Sequence, residues 1–282
     1  MEAATQAQGP MFVERRRTRE TEKIGNLARA RRRRREDRWP RVSVIVPTLN
    51  EAKNLPHVFA DLPPDLHEVI VVDGFSTDGT PEVARALRND VVVVEQDKRG
   101  KGDALRCGFE AATGDVLVML DADGSADPAE IPAFVEALTA GSDFAKGTRF
   151  HPQGGSADIT PLRRAGNLVL SGLVNLLFGT RYSDLCYGYN AFWRHCLPTM
   201  DVDCTGFEVE TLINIRIARA DLKVSEVPSF ERDRIHGESN LNTWRDGGRV
   251  LRTIVRERLR RTKPATAVLD THPSQELVAA EA

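Results

Sequence analysis

The stretch VLVMLDADGSADP, Val116 to Pro128, decides how this chain is organised. Val116–Leu120 is an unbroken apolar run that stops at Asp121. A short continuous run of this kind, bounded by turn residues, is the pattern of a strand buried on both faces of a sheet. Asp121 and Asp123 follow at spacing two, so in an extended segment both carboxylates point to one side. Two like charges at one point repel unless one is protonated or a cation lies between them. Hard divalent ions such as Mg²⁺ and Mn²⁺ take oxygen ligands and bridge to phosphates. The pair is therefore a candidate metal site. Asp127, directly before Pro128, reads instead as the cap of the next helix.

Working outward, three similar runs precede this one: VSVIVP (Val42–Pro47), EVIVVDG (Glu68–Gly74) and DVVVVEQ (Asp90–Gln96). Helical stretches are expected between and after them, over Asn50–Asp61, Thr80–Leu87, Gly102–Ala112 and Pro128–Thr139. Alternation of this kind argues for an α/β domain, a Rossmann-like and mostly parallel sheet flanked by helices. Later, FAKGTRF reads as one more strand and PLRRAGNLVLSGLVNLLFG as an amphipathic helix. GFEVETLINIRIAR (Gly206–Arg219) reads as a helix, KVSEVPSF (Lys223–Phe230) as a strand, and the last helix runs from about Leu241 to Arg260.

Composition narrows the function classes. The chain has 282 residues, 41% hydrophobic and 28% charged, with a net charge of −2, so no global field draws it to nucleic acid. No stretch approaches the ~18 apolar residues of a membrane span, and the N-terminus has no apolar signal region. Four cysteines without C-x-x-C pairing suit free thiols in a reducing cytosol. Three regions are expected: a basic N-terminal arm over 1–40, a single catalytic domain over 41–263, and a polar C-terminal tail over 264–282. The arm is rich in arginine without interleaved aromatics, which reads as a solvated, uncommitted tail or a contact with an acidic surface rather than a nucleic-acid binder.

In an open parallel sheet, ligands bind beyond the carboxyl ends of the strands. Glu51, Asp73, Asp78, Lys98, Arg99, Lys101, Asp121 and Asp123 all follow strand ends, so acid and base converge on one edge. The KRGKG turn has neither the P-loop spacing nor a dinucleotide fingerprint.

Taken together, VSVIVPTLNE, EVIVVDGFSTDGT, KRGKGDALRCGF and VLVMLDADGSADP resemble, in order and spacing, the family-2 glycosyltransferases of the GT-A fold. The chain is most similar to the branch of dolichyl- and polyprenyl-phosphate mannose and glucose synthases, over roughly Arg41–Lys263. The resemblance implies that Pro47, Leu49, Glu51, Asp73, Lys101, Gly102, Asp121 and Ala122 bind a nucleoside-diphosphate sugar. It implies that Asp121 and Asp123 hold the metal; His236, read on its own, is a third metal ligand or a phosphate contact, or else a loop histidine. Arg149 would assist at the phosphates, and Arg163, Arg164, Asp184, Arg234 and Ser239 would serve the acceptor. Gly74 stands where many relatives have aspartate, and Asn240 where lysine is usual.

Glu208 and Glu210 fall in a segment that the resemblance places on the acceptor side. Two apart on a helix, they point about 200° apart and cannot both face one site. Glu208 is the preferred candidate, useful as a base if the acceptor is a hydroxyl.

The expected activity is inverting, metal-dependent transfer of a hexose, from a donor of the GDP-mannose or UDP-glucose type, to a polyprenyl phosphate. The expected location is cytoplasmic, peripheral at the inner membrane face, with the Asn167–Phe178 segment either pressed into that interface or packed as a core helix. The alternatives are a glycosyltransferase with a soluble acceptor, such as a secondary metabolite, and a nucleotide-sugar-binding module without catalysis.

Overall fold

A computed structural model describes residues 39–238 and 242–261. The expected arm over 1–40, apart from its last two residues, and the tail over 264–282 lie outside the described residues, as do Ser239 and Asn240.

The four Val- and Ile-rich runs form β1 (Val42–Thr48), β2 (Glu68–Asp73), β3 (Val92–Glu95) and β4 (Val116–Met119). Between them lie α1 (Leu55–Ala60), α2 (Thr80–Leu87) and α3 (Lys101–Ala111). After β4, a short 3-10 turn at Pro128–Glu130 leads into α4 (Ile131–Thr139), then β5 (Phe144–Thr148) and β6 (Gly155–Ser156). The remaining elements are α5 (Pro161–Phe178), β7 (Asn190–Trp193), α6 (Leu197–Met200), α7 (Val209–Arg219), β8 (Val224–Pro228), β9 (Phe230–Glu231) and α8 (Thr243–Leu259).

Seven strands form one sheet in the order β3-β2-β1-β4-β7-β5-β8. All neighbours are parallel except β7, which runs antiparallel to β4 and β5. The chain builds outward from β1 to β2 and β3, then returns to place β4 on the other side of β1. The sheet therefore reverses its winding between β1 and β4, and a crevice opens beyond their carboxyl ends. Thr48 ends β1, and Asp121 lies two residues beyond the end of β4.

Every residue of β4 is buried, as are nearly all of β1 and β2, which explains their unbroken apolar runs. Ile45, Ile70, Leu117 and Met119 pack against Leu105 and Phe109 of α3 and Ile213 and Ile217 of α7. Burial of each such side chain stabilises the fold by about 1.5–3 kcal/mol. A second cluster joins α5 and α8 through Val174, Val250 and Ile254, with Leu170 and Leu173 at its edge.

Two local expectations are corrected and one strand is added. The first helix starts at Leu55, not Asn50. Asn50 takes a left-handed conformation (φ 59°), and its side-chain oxygen accepts from Thr77 N at 2.8 Å, so it caps the neighbouring loop instead. NAFW, within SDLCYGYNAFWR, is a strand that carried no assignment in the sequence, because four residues show no distinguishable period. In place of one strand over Lys223–Phe230 there are two, β8 and β9, with β9 pairing β6 in a separate small sheet. Asp127 does cap the Pro128–Glu130 turn, its carboxylate accepting from Ala129 N at 3.0 Å.

Candidate active site

Two cavities open beyond the strand ends and share one wall. The first, about 420 Å³, is lined by Pro47, Leu49 and Glu51 after β1, Gly74 and Phe75 after β2, Gln96 and Arg99 after β3, and Ala122 after β4. The second, about 240 Å³, is lined by Arg149, Arg163, Tyr187, Gly188, Glu210 and Glu231, and reaches α5 and α8. Lys101, Asp121, Asp123, Phe207 and Arg234 line both.

The shared wall is built from two charge triads. Lys101 Nζ donates to Asp121 Oδ1 at 2.7 Å and to Glu210 Oε1 at 2.8 Å. Arg234 donates to Asp123 Oδ2 at 2.7 Å and to Glu51 Oε1 at 3.2 Å. Each cation is thus held between two carboxylates from different elements. Burial pushes the Lys101 ammonium down, but Asp121 and Glu210 more than offset this and hold it above the ordinary lysine value. Burial raises the Glu51 carboxyl, opposed by Asn54 and Arg234.

The backbone permits this arrangement through three glycines. Gly100 has φ +116°, and a Cβ there would collide with Thr205 O, so α3 starts directly against the 204–206 loop. Gly102 N donates to Thr205 O at 3.0 Å and fastens that contact. Gly188 abuts the first triad: a Cβ there would lie 2.8 Å from Lys101 Nζ and 3.1 Å from Asp121 Oδ2.

Arg149 lies deeper. Its guanidinium donates to both oxygens of Asp184, at 2.7 and 3.0 Å, and to Glu231 at 3.0 Å. Asp184 is fully buried; burial raises its carboxyl, and Arg149 more than reverses this, keeping it below the ordinary carboxylate value. The guanidinium also stands 4.8 Å from the Tyr187 ring centroid.

Several expected site residues sit elsewhere. Asp73 is buried behind Gly74, with one oxygen accepting from Ser76 N and the other unpartnered. The His236 ring lies 5.8 Å from the His57 ring and lines neither cavity. Arg164 is exposed on α5, 5.4 Å from the Phe150 ring. Glu208 lines neither cavity, whereas Glu210 does, because the helix begins at Val209 and turns Glu210 inward onto Lys101. Ser239 lies outside the described residues. Glu231 lies outside every motif, and Tyr187 and Phe207 lie within SDLCYGYNAFWR and GFEVE without being singled out there; their tertiary position identifies all three as wall residues.

The donor set suits a hard divalent cation. Four carboxylates, Glu51, Asp121, Asp123 and Glu210, surround two cations, Lys101 and Arg234, across the two triads. Among the described residues no cluster of three or more His, Cys, Asp or Glu side chains is poised for metal. Two aspartates from the chain, completed by substrate oxygens, match how Mg²⁺ is usually held.

A model of the family described as glycosyl transferase family 2 matches residues 43–210. Glycosyltransferase AglJ of Haloferax volcanii is 33% identical over 218 residues, covering 76% of this chain and 71% of its own. The dolichol-phosphate mannosyltransferase of Pyrococcus furiosus is 34% identical over 211 residues, covering 71% of this chain. This chain spans 59% of that relative's length. A solved structure of glucosyl-3-phosphoglycerate synthase from Mycobacterium tuberculosis, with Mn²⁺, UDP and phosphoglyceric acid, aligns with a TM-score of 0.62 at 24% identity, over 79% of this chain and 80% of that one.

Proposed function

The chain belongs to glycosyl transferase family 2, and from that premise we propose that it transfers a hexose, with inversion, from a nucleoside-diphosphate sugar to a polyprenyl phosphate. The observation that carries this reading is the pair of cavities meeting at Lys101, Asp121, Asp123 and Arg234. The strand-end cavity receives the nucleotide, the α5/α8 cavity receives the acceptor, and the sugar diphosphate lies at the shared wall. The name of the Pyrococcus furiosus relative supports a lipid-phosphate acceptor. The UDP and Mn²⁺ of the aligned structure support a nucleotide donor with a divalent ion.

In the proposed reaction an acceptor phosphate oxygen attacks the anomeric carbon from the side opposite the leaving diphosphate. The new C–O bond forms as the bond to the diphosphate breaks, and the electron pair leaves with the diphosphate. A divalent cation on Asp121 and Asp123 would supply Lewis-acid stabilisation of that leaving group. Lys101 and Arg234 add positive charge at the same wall. A phosphate nucleophile is already anionic, so no general base is required. Glu210 then serves to position Lys101. Arg163 and Arg149, on the acceptor side, meet the incoming phosphate. A location at the inner membrane face, as a peripheral protein, fits this acceptor; among the described residues no helix is long and apolar enough to cross a membrane.

A thermal-shift screen of UDP-, GDP- and dTDP-sugars with Mn²⁺, followed by transfer assays on polyprenyl phosphate and on soluble acceptors, tests the proposal. Stabilisation by one nucleotide class and transfer to the lipid phosphate are expected. Stabilisation by none, or transfer to soluble acceptors alone, would overturn it.

A further inference from the structure

Phe207 belongs to neither of the hydrophobic clusters described above, although its ring is partly buried. Among the described residues no other ring stacks on it and no cation stands over it. Its neighbours at the shared wall are all charged. Lys101, Asp121, Asp123 and Arg234 line both cavities with it, and each is tied into one of the two triads. Phe207 is thus the single apolar side chain of that wall.

Three constraints fix the backbone that carries it. Gly102 N donates to Thr205 O at 3.0 Å, which pins the chain two residues before the ring. Gly206 N donates to Glu208 Oε1 at 3.3 Å. The turn at Phe207 and Glu208 then runs into α7, so Phe207 and Glu210, three apart, share a helical face, and both line the second cavity.

We infer that Phe207 is the platform for the hexose of the donor and the partition that keeps water from its anomeric carbon. This rests on the two-cavity reading above. Charged groups match a diphosphate and a divalent ion, but not the faces of a pyranose. A pyranose carries hydroxyls at its edge and C–H bonds on its faces, and a C–H face packs on the electron-rich face of an aromatic ring. A ligand pocket sets such an apolar surface beside a few polar anchors. The hexose spans the junction, because its anomeric carbon is bonded to the diphosphate on one side and attacked from the other. A ring at that junction covers the carbon against water. Where water does reach it, the water oxygen bonds to the anomeric carbon, the diphosphate leaves with the electron pair, and one proton of the water passes to solvent. The donor is then spent as free hexose and nucleoside diphosphate. A contact for the hydrocarbon chain of the acceptor is the poorer role for this ring, because Phe207 also lines the strand-end cavity, which holds the nucleotide in that reading.

The test uses Phe207→Ala, Phe207→Leu and Phe207→Tyr in the full chain with Mn²⁺. Calorimetry compares UDP with UDP-glucose and GDP with GDP-mannose, which isolates what the sugar adds to affinity. In the base class that binds, Phe207→Ala should bind the nucleoside diphosphate as wild type does, which also shows an intact fold. It should bind the nucleotide sugar about three- to tenfold more weakly. Hydrolysis of the donor, relative to transfer to polyprenyl phosphate in detergent, should rise about tenfold or more. Phe207→Tyr should restore both ratios. Phe207→Leu, which keeps bulk without a π face, should leave the sugar affinity at the alanine level, and it carries the comparison if the alanine variant binds no nucleotide. Both ratios unchanged on loss of the ring, or an effect confined to KM for the acceptor, would refute the inference. Wild-type transfer to polyprenyl phosphate with unchanged ratios in the variants sinks the platform and leaves the proposed function standing. Shifted ratios in an enzyme that glycosylates soluble acceptors alone do the reverse.

Discussion

The Lys101 ammonium lies 2.8 Å from the buried Glu210 carboxylate and 2.7 Å from Asp121, so one cation ties the start of α3, the first turn of α7 and the end of β4 together. In the proposed reaction Glu210 would act through Lys101. Glu210→Gln should lower kcat by about ten- to hundredfold with little change in KM for the donor. Glu208→Gln, outside both cavities, should leave kcat near wild type. Steady-state kinetics on the two variants checks the order; equal effects would reject a positioning role for Glu210.

Asp123 is held by Arg234, so a divalent cation on Asp123, as proposed, would have to compete with that guanidinium. Asp123→Ala should abolish metal-dependent nucleotide binding and transfer. Arg234→Met should have the opposite effect on the ion, tightening Mn²⁺ binding without nucleotide while transfer falls. Titration of Mn²⁺ by calorimetry reads this directly, and weaker binding in Arg234→Met would contradict it.

Arg149 neutralises the fully buried Asp184. Truncation to alanine leaves an uncompensated charge, which costs about 3–5 kcal/mol. Urea unfolding should show that loss in Arg149→Ala, and Arg149→Ala with Asp184→Asn should recover part of it.

Lys146 is fully buried in β5, with one hydrogen bond, to Gly147 O at 3.2 Å. Burial holds its ammonium below the ordinary lysine value, against the pull of Asp184 and Glu226. The folded state then binds fewer protons than the unfolded chain as pH approaches that ordinary value. Stability should rise with pH between the depressed value and the ordinary one. Lys146→Met should remove this rise, as measured by melting midpoints across alkaline pH.

The amino-acid sequence by itself determined the class of fold and the strand end beyond which Asp121 and Asp123 lie. Runs such as Val69–Val72 and Val116–Leu120 have no polar alternation, which requires cover on both faces, and Asp121 and Asp123 must then emerge at a strand end. Only the tertiary structure decided which of two residues faces inward. Periodicity shows that Glu208 and Glu210 oppose each other, or that Asn167 and Val169 do, but not which side the rest of the chain will cover. Contacts distant in sequence make that choice. Lys101 draws Glu210 in, and the backbone at Leu185 and Cys186 draws Ser171 and Asn167 in. Leu162, Leu168, Val169 and Leu176 of α5 are consequently left outside, while Val174 packs inward. The antiparallel β7 is likewise set by its two neighbours, since pairing direction is a property of strands already side by side.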